Sequence, residues 1–377
     1  LWNNFYSLTQ MPRPSKNELK AARFVCDFGK KLGFQSIVDA VGNVIISKPA
    51  TPCCEARKGV ILQAHIDMVP QKNNNVSFDF DTDAIDAYVD GEWVTARDTT
   101  LGADNGIGVA AALAVLQSDT IKHGPLEILI TIDEETGMTG AVGLEKGLLK
   151  GDILINLDTE NDEEISIGCA GGINVSASWD FVEEKNDFQG TTFRLMVSGL
   201  KGGHSGLDIH LGRGNACKIM ARLLKTAVSK FGARLASIDC GNMRNAIPRE
   251  GVSVIVVPKD KVNAFLSFID NTSKLILNEL GSVEPNLKIV ASEVGLPETL
   301  IPEMIQDDVI NAVCAARNGI MRLSDTMPGV VETSNNISIV RSSAGKIEIL
   351  CLTRSFIDSA RDAIASSLDS CFRELKR

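Results

Sequence analysis

The chain has 377 residues, of which 44% are hydrophobic and 23% charged, with a formal net charge of −10. That length exceeds one ordinary domain, and the composition fills packed cores, which excludes a disordered chain. The acid excess argues against nucleic acid or a membrane surface as a partner and suits a soluble cytoplasmic enzyme.

Ser15-Lys-Asn-Glu18 has the capping-box spacing and opens a helix with the apolar stripe Leu19, Ala22, Val25, Cys26 and Leu32, stopped near Gly33. Two short strands follow, around Ile37 and over 44–46, joined by the turn Gly42-Asn43. A strand over 60–64 delivers His65, and a polar surface loop runs from Lys72 through Asp90-Gly91. The helix over 105–116 is rich in Ala and Val and reads as buried on most sides. A strand over 126–132, a helix over 142–149 and a strand over 153–157 continue a βαβ rhythm, the mark of a mostly parallel sheet covered by helices. Gly168-Cys-Ala-Gly-Gly172 is the expected domain boundary, giving domains 1–172 and 173–377. Beyond it, strands over 192–197, 252–256, 287–290 and 347–352 alternate with amphipathic helices over 215–228, 262–280, 305–316 and 356–375, an α+β layer long enough for two similar lobes. The nine cysteines are scattered with no C-x-x-C pair, which favours reduced, mostly buried thiols. No apolar run approaches the roughly 20 residues of a membrane span. No signal peptide is visible, and the start at Leu1 leaves room for a few preceding residues.

The chemistry is carried by His65-Ile-Asp67, Asp104, Glu134-Glu135 and Asp158, three of which end apolar runs that read as buried strands. Ligands of open α/β sheets gather at the carboxyl ends of strands, and one imidazole with several carboxylates there suits two divalent ions. His65 and Asp67 point to the same side of a strand, so the carboxylate can fix the imidazole tautomer. Asp104 sits in the turn Gly102-Ala-Asp-Asn-Gly106, where it can bridge two ions or act as an ordinary N-cap. Adjacent acids project differently, so one of Glu134 and Glu135 can bind metal while the other serves as general base.

These residues lie in Leu62-Gln-Ala-His-Ile-Asp-Met-Val-Pro-Gln-Lys-Asn73, Thr100-Leu-Gly-Ala-Asp-Asn-Gly-Ile-Gly108 and Gly168-Cys-Ala-Gly-Gly172; further motifs are Gly199-Leu-Lys-Gly-Gly-His-Ser-Gly206, Arg244-Asn-Ala-Ile-Pro-Arg-Glu250 and Gly329-Val-Val-Glu-Thr-Ser334. Over essentially its whole length the chain resembles the aminoacyl-histidine (Xaa-His) dipeptidases. These belong to the two-zinc peptidase family that includes aminoacylases and glutamate carboxypeptidases. The resemblance implies an α/β catalytic domain, a mostly parallel mixed sheet with helices on both faces, and a large α+β lid. It implies two divalent ions, zinc first, with cobalt or manganese as alternatives. His65 and Asp158 would hold one ion and Glu135 the other, with Asp104 between them. Asp67 would orient His65, and Glu134 would be the general base. His204 would meet the scissile carbonyl, while Asn245 and Arg354 would bind the far end of a short peptide and its carboxylate. A homodimer is implied by the resemblance only.

The pattern departs from the family in one respect. The family carries a second metal-binding histidine on a segment that returns to the catalytic domain after the lid. This chain has four histidines, none beyond His210, and it stops at Arg377. A fragment of a longer protein is the favoured expectation, with a natural truncation as the alternative. The rival functions are hydrolysis of N-acyl amino acids on the same fold, and a non-catalytic relative using the lid for binding or dimerisation.

Overall fold

The computed structural model describes residues 1–72, 76–159, 165 and 168–376. Asn73 to Asn75, in the expected surface loop, therefore lie outside the described residues. Contacts divide the chain into two compact units, Leu1–Ile165 and Ser166–Arg377, seven residues before the expected boundary at Gly172. No helix among the described residues is long and apolar enough to cross a membrane.

The first unit contains α1 (Trp2–Thr9), α2 (Leu19–Lys31), β1 (Gln35–Val38), β2 (Val44–Lys48), β3 (Val60–His65), β4 (Ala87–Asp90), β5 (Trp93–Ala96), α3 (Ala103–Gln117), β6 (Leu126–Thr131), α4 (Thr139–Val142) and β7 (Ile153–Asn156). Five strands form a mixed sheet in the order β1-β2-β6-β3-β7. The β1–β2 and β2–β6 pairs are antiparallel; β6–β3 and β3–β7 are parallel. Alternation along the strands sends Val44, Ile46, Leu62, Ala64, Ile128 and Ile130 to one face, against α1, α2 and α3. Ile45, Ile61 and Leu129 go to the other, under Leu144, Leu148 and Leu149. The helix expected over 142–149 is reduced to the single turn α4, because Gly143 follows it directly and Gly147 takes φ +86°. The polar loop folds in part into the hairpin β4–β5.

Register places the chemistry. His65 at the end of β3 pairs with Thr131 at the end of β6, so the loops that leave the two strands start side by side. On the other side of β3, Asn156 of β7 pairs with Gln63, two residues before Asp158. β7 was expected to be buried; instead Ile153, Leu154 and Ile155 are 43%, 53% and 45% exposed. It is the last strand of its sheet and hydrogen-bonds to β3 alone among the described strands.

The second unit contains β8 (Gly171–Asp180), β9 (Glu184–Lys185), β10 (Gly190–Ser198), β11 (Gly203–His204), α5 (Ala216–Phe231), β12 (Arg234–Cys240), β13 (Ala246–Ile247), β14 (Gly251–Pro258), α6 (Val262–Leu280), β15 (Lys288–Glu293), β16 (Thr299–Leu300), α7 (Glu303–Ala315), β17 (Gly319–Leu323), β18 (Val331–Ser343), β19 (Lys346–Ser355) and α8 (Asp358–Leu375). Its main sheet runs β15-β10-β14-β12-β18-β19-β8, with β17 on β18, and every pairing is antiparallel. β12 and β18 meet over two residue pairs only, so the sheet consists of two four-stranded halves. One apolar core joins it to α5, α6, α7 and α8 through residues such as Leu224, Phe265, Val309 and Leu368. The cysteines are all free, with Cys26, Cys54, Cys217, Cys240 and Cys351 buried and Cys53, Cys169 and Cys314 exposed.

Lys218 ties two of these helices together: from α5 its ammonium donates to the carbonyls of Val313, Cys314 and Ala316 at 2.9, 2.8 and 3.0 Å, capping the end of α7. Lys218→Met is expected to cost about 1–3 kcal/mol, since three carbonyls lose a charged donor. Urea unfolding followed by far-UV circular dichroism would measure the shift.

Candidate metal centre

His65 is 1% exposed at the end of β3. Its Nδ1 lies 3.2 Å from Asp67 Oδ1, and its Nε2 lies 3.0 Å from Asp104 Oδ1 and 3.6 Å from Asp158 Oδ2. A carboxylate on Nδ1 holds a proton there, and Nε2 faces the two other acids. Asp67 is itself held on all sides. Its Oδ1 accepts the Glu134 N–H at 3.0 Å, and its Oδ2 accepts the Glu135 N–H at 3.1 Å and the Ser15 hydroxyl at 2.8 Å. One carboxylate thus orients the imidazole and the turn that carries both glutamates.

Asp104 enters from the start of α3, where Gly102 caps the helix with φ +71° and the Asp104–Asn105 peptide is cis. Asn105 turns inward and its amide donates to the Leu157 carbonyl at 3.2 Å and to the Asp158 carboxylate, linking the helix start to the end of β7. Asp133, before the two glutamates, accepts the hydroxyls of Thr136 and Thr139 and shapes their turn. All four sequence motifs converge. One ligand atom from each of His65, Glu134 and Glu135 falls within 4.8 Å of the others, and the same holds for His65, Asp104 and Asp158. Among the described residues neither group includes a second histidine.

The electrostatics are those of a cluster short of positive charge. Burial raises the Glu135 pKa to about 7, and the nearby Asp104 charge adds to the effect. Burial also raises Glu134 and Asp158, with His65 opposing in both cases. Burial works against a charged His65, yet its bonds to Asp104 and Asp67 and the charge of Asp158 prevail, and its pKa rises to about 10. Asp67 has the reverse balance: burial penalises its charge, but the His65 bond and two backbone or hydroxyl donors hold it at about 2. Oxygen donors around one imidazole, with several of the acids unwilling to ionise, are the donor set a divalent cation would satisfy.

The second unit assembles a different set of donors. His204 lies on β11, paired with Ala246 of β13, and the Ser205 N–H donates to the Asn245 carbonyl at 2.7 Å. His204 Nδ1 accepts the Leu207 N–H at 3.0 Å, which leaves the proton of a neutral ring on Nε2. Arg354, on β19, reaches Ser205 Oγ with Nε at 3.3 Å and brings Nη2 to 3.3 Å from His204 Nε2. The Arg354 guanidinium and the His204 ring thus converge beside Ser205. A Cβ at Gly206 would stand 3.2 Å from both Arg354 Cδ and His204 Cε1, a tight fit that would shift one of these side chains. Burial lowers the Arg354 pKa and the Arg244 charge adds to it. His123 and His210 lie outside both groups, His123 bonded through Nδ1 to the Gly124 carbonyl at 2.7 Å.

Arg13, Ser15 and Glu18 were missed as site residues. Ser15 and Glu18 looked like a capping box, but α2 starts at Leu19 with no side-chain cap, and Glu18 Oε1 instead accepts the Lys16 and Asp133 N–H groups at 2.7 and 3.1 Å. Arg13 shows as a lone charge between two prolines, Pro12 and Pro14, and that was the available signal.

The chain matches peptidase family M20/M25/M40 over residues 61–349. It is 46% identical over 370 residues to the cytosol non-specific dipeptidase of Escherichia coli, covering 98% of this chain and 76% of that protein. It is 26% identical over 189 residues to the uncharacterized protein YqjE of Bacillus subtilis, covering 47% of this chain and 46% of that protein. Among solved structures, the aminoacylhistidine dipeptidase of Vibrio alginolyticus aligns with a TM-score of 0.67 and 45% identity, covering 99% of this chain and 76% of that one. The resemblance drawn from the motifs and the mixed α/β fold are thereby confirmed, and the chain belongs to peptidase family M20/M25/M40.

Proposed function

We propose that this protein is a cytoplasmic metal-dependent dipeptidase that takes Xaa-His and related dipeptides. The observation that carries the reading is His65, whose Nε2 faces Asp104 and Asp158 at 3.0 and 3.6 Å while Nδ1 is tied to Asp67. The similarity to a protein named for dipeptidase activity supports the substrate class. His65 and Asp158 would hold one divalent ion, Glu135 a second, and Asp104 would serve both, with zinc the first choice for an imidazole and carboxylate set. Bound there, the ions would polarise the peptide carbonyl and acidify the attacking water.

The chain's own residues supply the rest. Glu134 takes the proton of the attacking water on its carboxylate and hands it to the departing amine. Asp67 keeps the proton on His65 Nδ1 throughout. In the second unit, His204 Nε2 is a donor suited to an oxygen that gains charge, and Arg354 offers a planar pair of donors suited to a substrate carboxylate. Asn245 binds the C-terminal end of the substrate.

The test compares Xaa-His dipeptides with N-acetyl-histidine and other N-acyl amino acids, before and after chelation. Hydrolysis of the free dipeptide that stops on chelation and returns with zinc is the expected result. Turnover of the N-acyl compounds alone would select the acylase reading, and no turnover of either by the metal-loaded protein would overturn catalysis.

A further inference from the structure

The residues that pin the metal centre from behind come from one short segment ahead of α2. Arg13 is fully buried. Its Nη1 donates to the Ile66 and Asp67 carbonyls at 2.6 and 3.3 Å, and its Nη2 donates to the Gly102 carbonyl. One guanidinium fork therefore joins the loop of Asp67 to the turn that presents Asp104. Around it, the Met68 N–H donates to the Arg13 carbonyl at 3.2 Å, and Pro14 bridges to Met68. Ser15 Oγ holds Asp67 Oδ2 at 2.8 Å, and Glu18 Oε1 holds the Asp133 N–H at 3.1 Å, just before the two glutamates. Six residues of chain thus reach all three loops that deliver His65, Asp67, Asp104, Glu134 and Glu135.

The arrangement is poor as a device for stability alone. Arg13 Nε is buried without a hydrogen-bond partner, and among the described residues the positive charge, out of water, makes no direct ion pair. The site is also shaped to the guanidinium: a Cβ at Gly102 would lie 2.5 Å from Nη2, and one at Gly106 would lie 2.6 Å from it. A buried cation kept under those conditions, with its fork spread across two ligand-bearing loops, is explained by the spacing it sets.

We propose that Arg13 and Ser15 are positioning residues of the metal centre: Arg13 sets the separation between the Asp67 loop and the Asp104 turn, and Ser15 sets the orientation of Asp67 and, through it, of His65. The inference rests on the metal reading above. Neither residue touches substrate or the reacting water. Partners behind a metal's ligands commonly govern affinity by about 10–100-fold.

The test is zinc affinity, by competition with a chromophoric chelator at a temperature well below unfolding, on the full chain and on Arg13→Lys and Ser15→Ala, with melting temperatures alongside. Arg13→Lys keeps the charge but its ammonium cannot span both loops. The expected result is zinc binding weakened about 10–100-fold in Arg13→Lys and about 10-fold in Ser15→Ala, with the melting temperature of Ser15→Ala close to wild type. Wild-type affinity in the folded variants would overturn the inference, and if Arg13→Lys fails to fold, Ser15→Ala decides. The wild type is read first: if it takes up no zinc, the metal reading itself falls and carries this one with it, an outcome distinct from unchanged affinity in the variants.

Discussion

Glu134→Gln is expected to lower kcat by about 10²–10⁴-fold, the range for loss of a positioned general base, while the bound metal stays unchanged. The substitution keeps side-chain volume, and the backbone N–H of residue 134 still donates to Asp67 Oδ1, so the turn should hold. What disappears is the carboxylate assigned to take the proton without being assigned to an ion. Burial raises the pKa of Glu134, with the Asp158 and Asp67 charges adding to it and His65 opposing, which suits a carboxylate that must both take and return a proton. Glu135→Gln should give the opposite signature, metal lost together with activity, because its oxygen is assigned to an ion. Steady-state kinetics with metal analysis on both variants separates the roles. A Glu134→Gln enzyme running near the original rate would sink the assignment.

His65→Ala is expected to weaken metal binding by more than about 100-fold, beyond the usual effect of residues that merely support a ligand, and to leave only background hydrolysis. The reason is geometric: His65 belongs to both groups of converging donors, so its loss removes the imidazole from each at once. The fold should survive. Asp67, fully buried, would lose one partner but keep the Ser15 hydroxyl and two backbone N–H groups. The destabilisation should be about 1–3 kcal/mol, the cost of one unmet buried polar group. Thermal unfolding checks that figure, and chelator competition checks the affinity. Tight binding retained in His65→Ala would place the ion elsewhere.

Much of the first unit was legible because its strands end in chemistry. An apolar run of five or six residues closed by His65, or by Asp133-Glu134-Glu135, announces both a strand and the side of the sheet where ligands collect. The helix expected over 105–116, observed as Ala103–Gln117, was equally plain, since Ala and Val on most sides demand burial. The brace was not legible. Ser15 and Glu18 satisfy a local rule that α2 does not use, because Asp67 and the Asp133 N–H compete for them from far along the chain. The exposure of β7 also escaped, since an apolar run reports what a strand would bury and not which neighbours it has. In the second unit β8, β12, β17 and β18 lay outside the expected strands, β18 for a related reason. β18 carries Glu332, Thr333, Ser334, Asn335 and Asn336, all buried, and a run of polar residues does not read as a central strand. Their bonds explain it: Asn336 donates to the Ala246 carbonyl at 2.7 Å and Ser338 to the Arg244 carbonyl, on either side of Asn245. Polar residues in that strand hold the loop assigned to substrate.

The measurement that bears most directly on the account is metal stoichiometry, by elemental analysis of the purified chain after dialysis against trace zinc. Two ions per chain is the predicted result, one shared by His65 and Asp158 and one on Glu135, with Asp104 common to both. One ion would contradict the paired-ion mechanism, and none would contradict the metal centre as a whole.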